Sequence, residues 1–153
     1  MLYLDSSVLV SLALIEAKHS RRAAELMREY GQGVTSELAV VECQAGISAQ
    51  LASSKTAHRP SLTAHAEQNL NRVLMTLDLI AVSSLVLGQA RSLVKRYRVA
   101  LGLRNLDAVH VATANLLAQS MGDDPEFRIY YLTADRRQHE AFSAEGLVGE
   151  LLV

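Results

Sequence analysis

The sequence has little cysteine and little net charge. Its single cysteine, Cys43, allows neither an intramolecular disulfide nor a zinc site built from several cysteines. The formal net charge is −1, so any surface that attracts a nucleic acid must be local rather than a property of the whole chain. The sequence also lacks aromatic pairs of the kind that stack unpaired RNA bases in sequence-reading modules.

The sequence shows no targeting or membrane segment either. The apolar run at the start has no basic residue before it and is interrupted by Asp5, which argues against a signal peptide. No uncharged apolar run reaches the roughly 18 residues that a membrane-spanning helix needs. We therefore expect a soluble, cytoplasmic protein.

What is present is enough for one folded domain. Half of the 153 residues are apolar and a fifth are charged, which is typical of a globular chain. No repeat, low-complexity tract or linker interrupts the sequence, so we predict a single domain over residues 1–153.

Short apolar runs alternate with segments of helical periodicity along the chain. This alternation predicts an α/β fold with a parallel sheet covered by helices on both faces. The predicted strands are 2–4, 33–35, 79–82, 129–132 and 147–153. The predicted helices after the first cover 20–30, 36–52, 61–77, 85–98, 106–119 and 136–144, and the predicted caps are Ser6 or Ser7, Ser36, Ser61, Ser83 or Ser84, and Asn105.

Four of the 16 acidic residues occupy unusual positions. Asp5 follows the first predicted strand and Asp135 follows the fourth, where open α/β sheets place their ligand sites. Glu42 shares an apolar helix stripe with Leu38, Val41 and Ala45. The fourth acid is Asp107. It lies in the first turn of a predicted helix whose inward positions would include Val111 and Ala114. Singly, each has an ordinary explanation as a cap, a first-turn acid or an acid at the edge of a stripe.

A cluster of carboxylates needs a counter-charge. Two like charges 4 Å apart repel by about 4 kcal/mol at an effective dielectric near 20. Oxygen ligands without cysteine or a histidine pair favour Mg²⁺ or Mn²⁺ over Zn²⁺. Such an ion suits phosphoryl chemistry, because it activates water and stabilises charge on phosphate oxygens.

Four segments surround these acids, and their order and spacing are specific. They are LYLDSSVLV at 2–10, TSELAVVE at 35–42, LDAVHVATA at 106–114 and LTADRRQHEA at 132–141, the last followed by Gly146 and Leu147. Together they resemble the PIN-domain ribonucleases and, within them, the VapC-type toxins of prokaryotic toxin–antitoxin pairs. The resemblance runs nearly from end to end of the chain.

The resemblance implies a fold, an activity and partners. The fold would be a three-layer α/β/α sandwich with a five-stranded parallel sheet in the order 3-2-1-4-5. One or two Mg²⁺ or Mn²⁺ ions would bind Asp5, Glu42, Asp107 and Asp135, with all four carboxyl groups lining one open pocket. The hydroxyls of Ser6 and Thr133 would orient these ligands or the attacking water. The protein would be an endoribonuclease toxin, a homodimer, silenced by a VapB-like antitoxin.

Other polar residues have weaker patterns. His110 lies three residues after Asp107 and could reach the pocket, although such a histidine more often bonds locally. Glu16 could line the pocket rim, and a solvated surface acid is the plainer interpretation. Three arginines are candidates for RNA contacts because they neighbour the predicted acids: Arg104, Arg136 and Arg137. The densest basic stretch consists of Lys95, Arg96, Arg98 and Arg104 and could hold RNA phosphates, although a basic helix end is the default explanation.

Two other functions are compatible with part of the pattern. A phosphatase or phosphotransferase could use Asp5 as its nucleophile, but such enzymes usually carry a second aspartate two residues later, and here that residue is Ser7. A catalytically silent binding module with the same fold would be marked by loss of acids, and none of the four is lost. A nuclease assay with and without chelator separates the three.

Overall fold

The computed structural model of the protein describes residues 1–15, 17–53, 59–122 and 128–153. Five parallel strands form one sheet in the order β3-β2-β1-β4-β5, which confirms the predicted fold and strand order. The strands are β1 (Leu2–Leu4), β2 (Gly33–Ser36), β3 (Leu77–Ile80), β4 (Tyr130–Thr133) and β5 (Val148–Leu151).

Helices connect the strands and cover both faces of the sheet. The helices are α1 (Ser6–Ala13), α2 (Ala17–Tyr30), α3 (Glu37–Ser53), α4 (Arg59–Leu74), α5 (Ser84–Leu101), α6 (Asn105–Met121) and α7 (Arg136–Ala144). No helix in the described ranges is long and apolar enough to cross a membrane. The segment 122–126, whose acidic residues Asp123, Asp124 and Glu126 predict a polar loop, lies outside the described residues apart from Gly122.

The strand β1 has alternating side chains that face two separate cores. Leu2 and Leu4, both fully buried, pack with the layer formed by α1 to α4. Tyr3, also fully buried, packs with the layer formed by α5 to α7. Such alternation is the rule in a strand covered on both faces. Asp5 follows β1 directly, so it lies at the carboxyl end of this strand, between the two helical layers.

Several predicted boundaries are wrong. The helix predicted at 20–30 begins at Ala17, and the helix predicted at 61–77 ends at Leu74. The strand predicted at 79–82 begins at Leu77, which pairs with Gly33. A Cβ atom at Gly33 would lie 2.5 Å from Leu77 Cδ2, so the glycine gives Leu77 its space. Helix α4 begins at Arg59 rather than Ser61, because a proline such as Pro60 is tolerated in the first turn of a helix. Helix α5 continues past residue 98 to Leu101, and Gly102, whose φ is 67°, ends it.

The buried face of α3 also differs from the predicted stripe. Val41 is 67% exposed, and the residues that enter the core are Ala39, Cys43 and Ile47. These residues are spaced four apart and pack against α1 and β1, so the stripe is displaced by about one residue from the predicted one. Glu42 precedes Cys43 and lies at the edge of this buried face. On α6 the predicted inward residues Val111 and Ala114 are both fully buried, as expected.

Candidate active site

Asp5 lies in the buried turn between β1 and α1. Its residue surface is 1% exposed, and Oδ1 accepts hydrogen bonds from the Val8 amide at 3.0 Å and the Ser7 hydroxyl at 2.6 Å. Asp5 is therefore the N-cap of α1, and the prediction that Ser6 or Ser7 caps this helix is wrong. The Ser7 hydroxyl instead links two segments, because it also accepts the Ala134 amide hydrogen at 2.8 Å.

Thr133, the last residue of β4, connects Asp5 to the neighbouring strand. Its hydroxyl donates to Asp5 Oδ2 at 2.6 Å and accepts the Asp135 amide hydrogen at 3.0 Å. Leu4 and Leu132 are paired in register, so both strands end at the same level of the sheet. Burial raises the pKa of Asp5, although the nearby His110 charge and the hydrogen bonds to its carboxylate oppose the shift.

Glu42 projects from α3 and is held by two side chains. Its Oε2 lies 2.6 Å from His110 Nε2, and it also accepts a hydrogen bond from the side chain of Ser6. The Glu42 side chain is 21% exposed, whereas His110 is 1% exposed. Burial acts to raise the pKa of Glu42, but the hydrogen bonds and the charge of His110 outweigh burial and lower it.

Asp107 lies in the first turn of α6 and forms part of its cap. Its Oδ2 accepts the Arg104 amide hydrogen at 3.1 Å, and the N-cap position belongs to Arg104. The prediction that Asn105 caps this helix is therefore wrong, because the first helical residue is Asn105 itself. Burial raises the pKa of Asp107, and the charge of Asp135 raises it further against the opposing effect of the Arg104 amide.

Asp135 is the N-cap of α7, two residues after β4. Its Oδ1 accepts the amide hydrogens of Arg137 at 2.8 Å and Gln138 at 3.3 Å. The Arg137 guanidinium donates to Oδ2 at 3.3 Å. Burial acts to raise the pKa of Asp135, but the hydrogen bonds and charge of Arg137 lower it.

Gln138 links the two halves of this region. It is 2% exposed, its Oε1 lies 3.1 Å from the Thr133 hydroxyl, and its amide nitrogen donates to the Asp107 carbonyl oxygen at 3.5 Å. The structure thus brings Asp5 and Asp135 to one threonine, and Asp107 and Asp135 within electrostatic reach of each other. Glu42 joins them from the α3 side through Ser6, which neighbours Asp5 in sequence.

The main cavity near the acids lies between α1, α2 and α3. It has a volume of about 440 Å³, and its lining includes Ser6, Ser7 and Glu42 but not the other three acids. Within the described ranges, no three His, Cys, Asp or Glu side chains are close enough to hold one metal ion together. This cavity is lined by one of the four acids, Glu42, and the single pocket lined by all four carboxyl groups stays a prediction.

The donor set nevertheless fits a hard divalent cation. All four side chains offer carboxylate oxygens, the ligands that Mg²⁺ and Mn²⁺ prefer. Neither Asp5 nor Asp107 forms an ion pair with a described residue, and the pKa of each is raised by burial. Magnesium is commonly bound through one or two carboxylates and several waters, so it does not require three protein ligands in contact.

The remaining candidate residues occupy the rim or lie elsewhere. Arg104 and Arg136 are exposed, and Arg137 is occupied by Asp135. In the basic stretch, Arg96 pairs with Glu145 at 2.7 Å, so it is part of the scaffold. His110 is buried and its bonds are not local: Nε2 lies 2.6 Å from Glu42 Oε2 and Nδ1 lies 2.9 Å from the Tyr3 hydroxyl. The other predicted rim residue, Glu16, lies outside the described residues.

Sequence reasoning missed three functional neighbours of the acids. Ser7 and Gln138 hold Asp5 and Asp107, and Tyr3 contacts His110. Gln138 stands three residues after Asp135, which is the spacing of an acceptor in a capping box, so a signal existed. Tyr3 gave no such signal, because a tyrosine in a buried strand is indistinguishable in sequence from any large core residue.

Comparison with known proteins gives one family model and several solved structures that are similar to this chain. The family model described as "PIN domain" matches residues 2–143. No curated protein matches the chain in a sequence search.

Several solved structures share the fold at low identity. VapBC2 from Rickettsia felis, bound to a DNA fragment from its promoter, is 16% identical with a TM-score of 0.62, covering 99% of this chain and 98% of that one. FitAcB from Neisseria gonorrhoeae is 17% identical with a TM-score of 0.60, covering 97% and 96%. PAE2754 from Pyrobaculum aerophilum is 18% identical with a TM-score of 0.58, covering 97% and 82%.

Proposed function

Because the chain belongs to the PIN-domain family, we propose that it is a divalent-metal-dependent endoribonuclease and the toxin of a toxin–antitoxin pair. The observation that carries the proposal is the linkage of Asp5, Asp135 and Asp107 through Thr133 and Gln138, which contact the Asp5 carboxylate, the Asp135 amide and the Asp107 carbonyl. In a purely structural role, the buried Asp5 and the half-buried Asp107 would not need to remain without an ion pair.

A bound Mg²⁺ or Mn²⁺ would be held by Asp5, Glu42, Asp107 and Asp135, directly or through water, and would supply Lewis-acid activation for phosphodiester hydrolysis. Ser7 and Thr133 fix the rotamer of Asp5 through hydrogen bonds to both carboxylate oxygens. Ser6 also donates a hydrogen bond to the Glu42 carboxylate. These contacts would keep the ligands in place before the ion and the RNA arrive.

The RNA backbone would approach from the α6 and α7 side. The amide groups at the start of α6 give positive potential, which favours a phosphate close to Asp107. Arg104 and Arg136 are exposed on this rim, and Arg137 lies beside Asp135. These side chains would bind phosphates on either side of the cleaved bond without reading the base sequence.

The partner proposal is supported by the neighbouring structures. One is a VapBC2 assembly bound to promoter DNA, and another is described as a toxin–antitoxin complex from Klebsiella pneumoniae. We accordingly propose a VapB-like antitoxin as the partner of this chain, and a homodimer as its working unit. Co-expression with the product of the adjacent open reading frame should yield a complex that survives gel filtration.

The activity test is cleavage of a structured RNA by the purified chain with Mn²⁺, with EDTA, and with EDTA followed by excess Mn²⁺. We expect internal cleavage only in the first and third reactions. Cleavage that persists in EDTA would contradict metal dependence. A phosphatase would release inorganic phosphate without cutting the chain, and a silent binding module would bind the RNA and leave it intact.

A further inference from the structure

A buried chain of hydrogen bonds runs from β1 to Glu42 through one histidine. The hydroxyl of Tyr3 lies 2.9 Å from His110 Nδ1, and His110 Nε2 lies 2.6 Å from Glu42 Oε2. Tyr3 is fully buried and His110 is 1% exposed, so both are part of the protein interior. Ser36 also approaches Nδ1, at 3.3 Å.

Both ring nitrogens of His110 are therefore occupied. A carboxylate has no hydrogen to donate, so the contact with Glu42 places the hydrogen on Nε2. Nδ1 then faces the hydroxyls of Tyr3 and Ser36. This arrangement leaves no ring nitrogen directed at solvent or at the other acids, and the histidine is not placed to bind a metal ion itself.

The same ring connects the segments that carry three of the four acids. Tyr3 lies on β1, two residues before Asp5. Ser36 accepts the Ala39 amide hydrogen at 3.2 Å and so caps α3, the helix that carries Glu42. His110 itself is on α6, one turn after Asp107. A displacement of this ring would change the relative positions of all three segments.

We propose that His110 is a positioning residue that orients Glu42 toward a divalent cation, with Tyr3 fixing the orientation of the imidazole. This inference rests on the proposed metal-dependent function and assigns to His110 a role that is separate from ligation. Outer contacts of this kind typically change metal affinity by 10- to 100-fold when they are removed.

The test is calorimetric titration of the folded chain with Mn²⁺. His110→Leu removes the bond to Glu42, and we expect the Mn²⁺ dissociation constant to rise about 10- to 100-fold. His110→Gln keeps an amide N–H at a similar distance, and it should restore most of the affinity. Tyr3→Phe keeps the ring but removes the hydroxyl, and it should weaken Mn²⁺ binding less than His110→Leu. The matched control is His65→Leu, an exposed histidine on α4, which should bind Mn²⁺ as the wild type does.

A double-mutant cycle distinguishes positioning from a general packing effect. If His110 acts through Glu42, combining His110→Leu with Glu42→Gln should weaken Mn²⁺ binding no more than Glu42→Gln alone. Additive losses, or unchanged Mn²⁺ affinity in folded His110→Leu and Tyr3→Phe, would overturn the inference. Should His110→Leu fail to fold, Tyr3→Phe and His110→Gln decide the result.

The outcomes also separate this inference from the proposed function. A wild type that binds Mn²⁺ and cleaves RNA, with variants that bind equally well, overturns only the role of His110. A wild type that neither binds Mn²⁺ nor cleaves RNA overturns both.

Discussion

Asp5 and Glu42 are held differently from Asp107 and Asp135, although all four lie near the same end of the sheet. The first pair is fixed mainly by side chains: Ser7 and Thr133 for Asp5, which also caps α1, and His110 for Glu42. The second pair sits at the N-termini of α6 and α7 and is held mainly by backbone amides and by Arg137.

We infer from this difference that the two pairs of acids have different roles. The interior contacts leave Asp5 and Glu42 little freedom, and no buried polar side-chain atom in the described part of the chain lacks a hydrogen-bond partner. Asp107 and Asp135 face the arginine-bearing rim, where a phosphate would arrive. We interpret the first pair as the preformed half of the metal site and the second pair as the half that meets the substrate.

The largest expected effect comes from the interior pair. Asp5→Asn keeps an oxygen for the Val8 amide, because asparagine caps helices as well as aspartate does. The charge that attracts the cation is lost, so RNA cleavage in Mn²⁺ should fall roughly 100-fold or more while the fold is retained. Cleavage rate and circular dichroism check both statements.

The control for that substitution is Asp78→Asn on the edge strand β3. Asp78 is exposed and accepts a hydrogen bond from Gln32 at 2.9 Å, far from the carboxyl end of β1. The Asp78→Asn variant should cleave RNA at the wild-type rate. Near-native RNA cleavage by Asp5→Asn in Mn²⁺ would show that Asp5 is not part of the active site.

A smaller effect is expected at the substrate-facing rim. Arg104→Gln removes one positive charge beside α6, so RNA affinity should fall several-fold and the slope of log K against log salt should decrease by about 0.7. Fluorescence anisotropy of a labelled RNA at several salt concentrations measures both. Arg28→Gln, an exposed arginine at the opposite end of the sheet, should leave the slope unchanged. Equal slopes for the wild type and Arg104→Gln would show that the RNA does not bind beside Arg104.

Stability offers a test that does not depend on RNA. The pKa of Asp107 is raised by burial and by Asp135, so the ionised carboxyl group weakens the fold at pH values above its folded pKa. Without metal at pH 7, Asp107→Asn should therefore melt at or above the wild-type temperature, by up to about 3 °C. The advantage should shrink as the pH falls and should disappear well below 3.8, where the wild-type carboxyl group is protonated in both the folded and the unfolded state.

Saturating Mn²⁺ should reverse the order, because a ligand that binds only the folded state stabilises it. Scanning calorimetry with and without Mn²⁺ gives both comparisons. A clear drop in melting temperature for the metal-free variant would identify Asp107 as a structural cap and nothing more.

The smallest effect is expected at an acid that already has its cation. The Nε–H of Arg22 is shared between the two carboxylate oxygens of Glu150, and Nη2 donates to Oε2. This contact lowers the pKa of Glu150. Its stabilisation is present above the unfolded pKa and is lost as the pH falls through the folded one. Glu150→Gln should lower the melting temperature at pH 7 by about 3 °C or less, and the difference should vanish at strongly acidic pH. A higher melting temperature for Glu150→Gln at pH 7 would show that an acid with an ion pair does not stabilise the fold, in contradiction to the difference that we describe between paired and unpaired acids.

The fold could be predicted well from the sequence, because it depends on strong local signals. Apolar runs followed by Asp5 and by Asp135 mark the ends of β1 and β4, and the periodicity of α6 correctly identifies Val111 and Ala114 as buried. Caps were less predictable. Asp5 and Ser7 are both good cap residues, and only the three-dimensional turn decides that Asp5 caps while Ser7 bridges to Ala134.

The contacts of the site could not be predicted, because they join residues far apart in the chain. Tyr3 and His110 are separated by 107 positions and Glu42 and His110 by 68. No periodicity or spacing relates such residues, and the register of β1 against its neighbours is what brings them together. The ligand roles of the four acids remain predictions.

Crystals soaked in Mn²⁺ and measured near its absorption edge test the central claim most directly. The account predicts an anomalous peak at the carboxyl end of β1 and β4, with at least one of Asp5, Asp107 and Asp135 in direct coordination and Glu42 reaching the ion directly or through water. The absence of a peak there at saturating Mn²⁺, or a peak coordinated only by acids elsewhere on the molecule, would contradict it.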